Sequence, residues 1–125
     1  MKTQLEYAKK GILTEQMKQV AEGESMSTET VLSRVGSGEI VIPNNPARPH
    51  QKVVGIGRGL RTKINASIGT SSDICDIEAE IEKVKTAENE GADTLMDLSA
   101  AGDLDAIHRE VLENTALPVG NVPLY

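Results

Sequence analysis

Gly91-Ala92-Asp93-Thr94-Leu95-Met96-Asp97-Leu98-Ser99 decides the fold, because a helix-ending glycine opens it and an apolar strand pattern follows. The pattern predicts a strand over residues 92–98, with further strands over about 62–68 and 118–125. A helical pattern fills each of the two intervals between these strands. Strands that alternate with helices form a parallel sheet with right-handed crossovers.

Each of the two intervening helices is predicted from a cap and an apolar face. Ser72 or Asp73 is the expected N-cap of the first helix, and Asp103 is that of the second. The residues expected to face inward are Ile74, Ile77, Ile81 and Val84 in the first helix, and Leu104, Ile107, Val111 and Leu112 in the second. Cys75 would lie in the first helical turn, but no base beside it can be named for a nucleophilic role.

The amino-terminal part of the chain has a different pattern. Residues 1–43 are predicted to form two short helices, with Thr14 and Ser27 as caps, and then a strand. The connection that follows contains three prolines and three glycines. We therefore predict a helical segment with a Pro/Gly-rich connection over residues 1–57, and the start of a barrel over residues 58–125.

The predicted three-stranded sheet would leave apolar surface uncovered. Two helices leave one face and both edges of a parallel sheet unburied. The 125-residue chain contains no Phe or Trp, so its aliphatic core buries less area per residue. The expected fold class is therefore α/β: an N-terminal helical and strand segment followed by the first βαβαβ units of a (β/α)8 barrel, incomplete in this chain.

Charge and cysteine content exclude several classes of partner. The net charge is −6 and no dense Lys/Arg cluster exists, so no nucleic-acid partner is expected. No apolar run reaches the roughly 18 residues of a membrane span, so no membrane partner is expected either. Cys75 is the single cysteine, which fits a reducing, cytoplasmic location. One thiol cannot hold an iron–sulfur cluster or a structural zinc ion, and no metal site is predicted in this chain.

Candidate binding residues lie where the predicted strands end, because strand ends and the following loops line the active site of a parallel barrel. The polar residues there are Asn65, Ser67, Asp97 and Ser99. Hydrogen bonds to neighbouring loops would explain these polar groups as well as a binding function does. In the proline-rich connection, Arg48 and His50 are the candidates for a substrate loop.

Three other features are interpreted as structural. The stretch Gly55-Ile56-Gly57-Arg58-Gly59 precedes a strand, whereas a dinucleotide-binding glycine loop would open a helix. His108 flanks the apolar stripe of its helix, so we expect it to be solvated on the helix surface. Met96, judged by its residue type alone, would fill the core.

Five segments together resemble the thiamine pyrimidine synthase (phosphomethylpyrimidine synthase) family, in order and over essentially the whole chain. They are residues 5–14, 38–43, 62–71, 91–99 and 118–125. The resemblance implies a (β/α)8 barrel and a radical S-adenosylmethionine enzyme that rearranges aminoimidazole ribonucleotide. It also implies a 4Fe–4S cluster on three cysteines, S-adenosylmethionine as cofactor, zinc or iron on two histidines, and a homodimer.

The same resemblance implies which parts of the site this chain holds. The cluster and metal ligands lie outside the chain, so no catalytic residue is expected within it and the chain alone is expected to be inactive. The family's substrate contacts fall on Ser67, Met96 and Tyr125.

Two departures from the family pattern favour a related reaction. The strand motif Asn-Ala-Asn of the family is Asn65-Ala66-Ser67 here, and the loop over residues 43–50 is altered. A serine hydroxyl reaches less far than an amide and bonds differently. The predicted activity is therefore 5-hydroxybenzimidazole synthase, which makes the lower-ligand base of a cobamide. Phosphomethylpyrimidine synthase of thiamine biosynthesis is one alternative, and a non-catalytic binding or assembly module is another.

Overall fold

The computed structural model describes residues 2–123, which divide into two compact units. The first unit contains residues 2–49 and 53–62, and the second contains residues 50–52 and 63–123. Compact packing does not test independent folding, so the domain division predicted after residue 57 stays a prediction.

The first unit contains three helices and a two-stranded ladder. They are α1 (Gln4–Lys9), α2 (Glu15–Gly23), α3 (Thr28–Ser37), β1 (Ile40–Val41) and β2 (Ile56–Gly57). Thr14 and Ser27 are confirmed as N-caps, because their hydroxyls accept the backbone N–H of Met17 and Thr30. The core of this unit is aliphatic; its most buried large side chains are Met17, Val31 and Ile40.

Helix α1 was not predicted, because six residues are too few to show a period. Its start is nevertheless encoded by a capping box. The Thr3 hydroxyl accepts the Glu6 N–H, and Glu6 Oε2 accepts the Thr3 N–H at 2.7 Å. Ala8 is the buried residue of α1.

The glycine-rich end of the predicted connection contains a strand that the sequence did not reveal. Ile56 and Gly57 pair antiparallel with Val41 and Ile40. Gly57 has a φ of +146°, and a Cβ there would lie 2.1 Å from the Glu39 carbonyl oxygen. Only glycine allows this close approach of the two backbones.

The second unit is the predicted β-α-β-α-β arrangement. Its elements are β3 (Asn65–Ile68), α4 (Ile77–Asn89), β4 (Thr94–Asp97), α5 (Leu104–Glu113) and β5 (Val119–Asn121). The strands form one parallel sheet in the order β3-β4-β5, which confirms the predicted pairing. A closed barrel stays a prediction.

The two faces of this sheet differ in composition. One face packs against α4 and α5 through an aliphatic core; it includes Ile68, Leu95, Val84, Ile107, Val111 and Leu117. Side chains alternate along a strand, so the residues between the core positions belong to the opposite face. We call this opposite face the helix-free face; its residues are Asn65, Ser67, Thr94, Met96 and Gly120.

The predicted start of α4 is wrong by several residues. Asp76 is the N-cap, and its side chain accepts the Ala79 N–H. Ser71 and Ile74 instead close a turn, because the Ser71 N–H donates to the Ile74 carbonyl and the Ile74 N–H donates to the Ser71 hydroxyl. Cys75 therefore precedes the helix and is exposed.

Three residues predicted to face inward are exposed instead. Ile74 lies outside the helix, while Ile77 and Leu104 occupy the first positions of α4 and α5. Ile107 and Val111 are buried as predicted. Within residues 2–123, no helix combines the length and apolarity needed to cross a bilayer.

Candidate functional site

The site begins with a row of three residues across the parallel sheet. Ser67 of β3 is in register with Met96 of β4, and Met96 is in register with Gly120 of β5. Ser67 is exposed and Met96 is half-buried on the helix-free face. Two predicted substrate residues, 29 positions apart in sequence, thus lie side by side near the carboxyl ends of their strands.

Asn65 lies on the same face, two residues before Ser67. Its side-chain oxygen accepts the Thr94 hydroxyl at 2.9 Å, which ties β3 to β4. The observed role of Asn65 is therefore cross-strand bonding, and a contact with substrate stays a prediction.

The ends of β3 and β4 are locked together by backbone contacts. Gly69 has a φ of +143°, and a Cβ there would lie 2.5 Å from the carbonyl carbon of Leu98 and the amide nitrogen of Ser99. The next residue, Thr70, donates its N–H to the Ser99 hydroxyl at 3.1 Å and its hydroxyl to the Ala101 carbonyl at 2.6 Å. These bonds hold the two strand-end loops in a defined position.

A buried carboxylate supports the end of β3. Glu80 of α4 is 2 % exposed, and its Oε2 accepts the Gly69 N–H at 2.8 Å. Its Oε1 is paired with the ammonium group of Lys83, which is half-exposed. Both carboxylate oxygens therefore have a donor, as burial requires.

A second buried carboxylate organises the end of β4. Asp97 is 4 % exposed and lies on the face that α4 and α5 cover. Its Oδ1 accepts the Ser99 N–H at 3.0 Å and the Ser99 hydroxyl at 2.6 Å. Its Oδ2 lies 3.2 Å from His108 Nδ1. Asp97 and Ser99 thus bond the neighbouring loop and helix, the structural explanation weighed for them above.

The prediction that His108 is a solvated surface histidine is wrong. The side chain is 30 % exposed and its ring contacts the buried Asp97. A carboxylate oxygen accepts, so Nδ1 of His108 is the donor in this contact. The signal that was available is its position next to Ile107, whose side chain lies in the core beneath β4.

His108 also borders a small cavity at the carboxyl end of the sheet. The cavity has a volume of about 260 Å³, and its lining includes Asp105, Asn121 and Pro123. Asn121 Nδ2 lies 3.5 Å from His108 Nε2, which is at the limit of a hydrogen bond.

Two further predicted site residues belong to the proline-rich connection. Arg48 belongs to the first unit and His50, which is exposed, to the second. Their role in a substrate loop stays a prediction. Tyr125 lies outside the described residues.

The first unit has its own groove, of about 580 Å³, between α1 and β1. Its lining includes Tyr7, Val35, Ile40 and Val41, and it contains none of the predicted substrate residues. The predicted substrate residues Ser67 and Met96 both belong to the second unit.

The chain's residues do not fit an iron–sulfur cluster. Its single cysteine cannot supply the thiolates that hold one. Within residues 2–123, no group of three His, Cys, Asp or Glu side chains is placed to bind a metal ion.

The fold is that of an α/β chain in which Ser67 and Met96 lie next to each other near the carboxyl ends of two parallel strands. Residues 3–125 match the model of the Radical SAM ThiC family, and the chain belongs to that family.

The chain is similar to synthases of two names. It is 64% identical over its whole length to 5-hydroxybenzimidazole synthase of Desulforapulum autotrophicum, and 59% identical to the enzyme of that name from Geobacter sulfurreducens. It is 53% identical, over 98% of its length, to phosphomethylpyrimidine synthase 1 of Methanothermobacter thermautotrophicus. The chain spans 28% of the length of each of these relatives.

Proposed function

We propose that this chain is part of a radical S-adenosylmethionine enzyme that converts aminoimidazole ribonucleotide into 5-hydroxybenzimidazole. In this enzyme, Ser67, Met96 and Tyr125 would contact the substrate. The observation that carries the proposal is the register of Ser67 with Met96 on the helix-free face. It places Ser67 and Met96 on neighbouring strands of the same face, where one small ligand can touch both side chains.

The two side chains suit a small, flat, polar ring. The thioether of Met96 makes favourable contacts with an aromatic edge. The hydroxyl of Ser67 can donate one hydrogen bond and accept others. A five-membered aminoimidazole ring offers both an aromatic surface and polar nitrogens, so it matches this pair.

The choice of product rests on similarity. The 5-hydroxybenzimidazole synthases of Desulforapulum autotrophicum and Geobacter sulfurreducens are 64% and 59% identical to the chain, and phosphomethylpyrimidine synthase 1 of Methanothermobacter thermautotrophicus is 53% identical. The serine at position 67 is the departure from the family motif that suits a changed reaction on the same ribonucleotide. Phosphomethylpyrimidine synthase is the second candidate, because enzymes of that name also align with nearly the whole chain.

The rest of the enzyme would supply what this chain lacks. We propose that the sheet continues into a (β/α)8 barrel whose interior includes the helix-free face. The cluster with S-adenosylmethionine, and the zinc or iron ion, would be held outside this chain; the cluster and S-adenosylmethionine generate the radical when bound. This chain's own residues bind and orient the substrate. We further propose a cytoplasmic homodimer.

Product analysis tests this proposal. The full-length protein, with its cluster reconstituted, is incubated with aminoimidazole ribonucleotide, S-adenosylmethionine and a reductant. The expected product is 5-hydroxybenzimidazole, and hydroxymethylpyrimidine phosphate would instead establish the second candidate. The 125-residue chain, treated in the same way, is expected to show no turnover and no cluster absorbance. A full-length protein that neither binds nor converts the ribonucleotide would support a non-catalytic module.

A further inference from the structure

The backbone conformation at Gly120 does not require a glycine. Seven glycines of the described residues have a positive φ, which favours glycine, and Gly120 is not among them. Glycine also weakens a strand, since it has no side chain to pack. At this position the structure shows another constraint, which is the space that a side chain would occupy.

Met96 occupies that space. A Cβ built on Gly120 would lie 3.2 Å from both Sδ and Cε of Met96, closer than an ordinary van der Waals contact. The thioether therefore leans from the middle strand, β4, toward β5. It lies over the backbone of Gly120.

The position of the Met96 side chain over β5 affects the space near β3, the neighbouring strand on the other side of β4. Ser67, Gly120 and Met96 form one row, with Met96 in the middle. Because the long side chain lies over β5, the surface next to Ser67 is left to a ligand. Ser67 is exposed, in agreement with this.

We propose that Gly120 is a positioning residue that determines specificity: its missing side chain holds the Met96 thioether over β5 and keeps the place beside Ser67 open for a flat heteroaromatic ring. The proposal deepens the proposed function and rests on it. A methyl group at position 120 would displace the thioether by a few tenths of an ångström, toward Ser67, and narrow that place. Met96 is half-buried and its side chain is flexible, so the fold itself should tolerate the change.

Calorimetric titration of aminoimidazole ribonucleotide into the full-length, cluster-free protein tests this proposal. We expect Gly120→Ala to weaken binding about tenfold, the lower end of what one misplaced methylene costs in a pocket. Gly23→Ala is the matched control, since Gly23 ends α2 and a Cβ there would meet no atom within 4 Å. In a Met96→Ala background, Gly120→Ala should change affinity less than about twofold, because the group it displaces is gone.

A second measurement keeps the inference testable without any ligand. The methyl resonance of Met96, assigned by Met96→Leu, should shift strongly in Gly120→Ala and remain unchanged in Gly23→Ala. An unshifted methyl signal, or equal weakening of binding in the Met96→Ala background, overturns the inference. If Gly120→Ala alone fails to fold, recovery of the fold in the double variant supports the same contact, and no recovery refutes it. Wild-type protein that does not bind the ribonucleotide overturns the proposed function, while the methyl shift still decides the role of Gly120.

Discussion

His108 Nδ1 lies 3.2 Å from Oδ2 of Asp97, so the one histidine of α5 holds the buried carboxylate at the end of β4. The same carboxylate accepts two hydrogen bonds from Ser99. This arrangement joins strand, loop and helix at the edge of the sheet where the candidate site lies. Because Met96 directly precedes Asp97 on β4, the contacts that hold Asp97 also help to fix the position of Met96.

Removing the imidazole should destabilise the protein. In His108→Ala, Asp97 loses one donor while it stays buried, which is expected to lower the free energy of unfolding by about 2 kcal/mol. His50→Ala, which truncates an exposed histidine, should change it by less than about 0.5 kcal/mol. Urea denaturation of the wild-type protein and the two variants measures both changes in the free energy of unfolding. Equal stability of the two variants would contradict the proposed support by His108.

A side chain at Gly69 should be poorly tolerated. Its φ of +143° and the approach of Leu98 and Ser99 to 2.5 Å leave no room for a Cβ, and these neighbours are backbone atoms that cannot swing away. We expect Gly69→Ala to lower the free energy of unfolding by at least about 2 kcal/mol. Gly23→Ala serves as control and should be nearly neutral. A melting temperature of Gly69→Ala within 1–2 degrees of wild type, on the order of measurement scatter, would refute the close approach.

The hydroxyl of Ser67 should matter for ligand binding and not for the fold. Because the side chain is exposed on the helix-free face, Ser67→Ala should leave the melting temperature unchanged. Loss of one hydrogen bond to the ribonucleotide is expected to weaken binding about fivefold. Ser37→Ala, which removes an exposed serine hydroxyl from α3, is the control for calorimetric titration. Unchanged affinity in Ser67→Ala would remove Ser67 from the site.

Acid should weaken the first unit through Glu39. The pKa of Glu39 is lowered, chiefly by its hydrogen bond with Arg58 at 2.7 Å and further by the charges of Arg58 and Arg34. Because the pKa is lowered in the folded state, ionised Glu39 stabilises the fold fully at pH values above the ordinary pKa of 4.5. This contribution is lost as the pH falls through the lowered pKa.

Glu39→Gln should therefore be less stable than wild type at neutral pH, and the difference should shrink on acidification. Denaturation curves at a series of pH values below neutrality measure this, with Glu22→Gln on the exposed side of α2 as control. A difference that stays constant with pH would show that the Glu39–Arg58 contact does not contribute to the acid sensitivity.

Most of the elements, though not α1 and β2, could be read from the sequence because their signals are local. Thr14, Ser27 and Asp103 lie just before apolar helical patterns, and each is the N-cap in the structure. The alternation of strands and helices after residue 62 was likewise sufficient to predict parallel pairing. The start of α4 was misplaced at Ser72 or Asp73 because serine and aspartate are common both at helix caps and in turns, and here a turn between Ser71 and Ile74 precedes the helix.

The tertiary structure alone decided which distant side chains meet. The pairing of Asp97 with His108 depends on how α5 packs under β4, and no residue spacing along the chain encodes that angle. The register of Ser67 with Met96 and Gly120 depends on strand alignment, which local propensity does not specify. Local patterns thus determined most of the elements and the family motif, whereas long-range packing decided the row of residues that defines the candidate site.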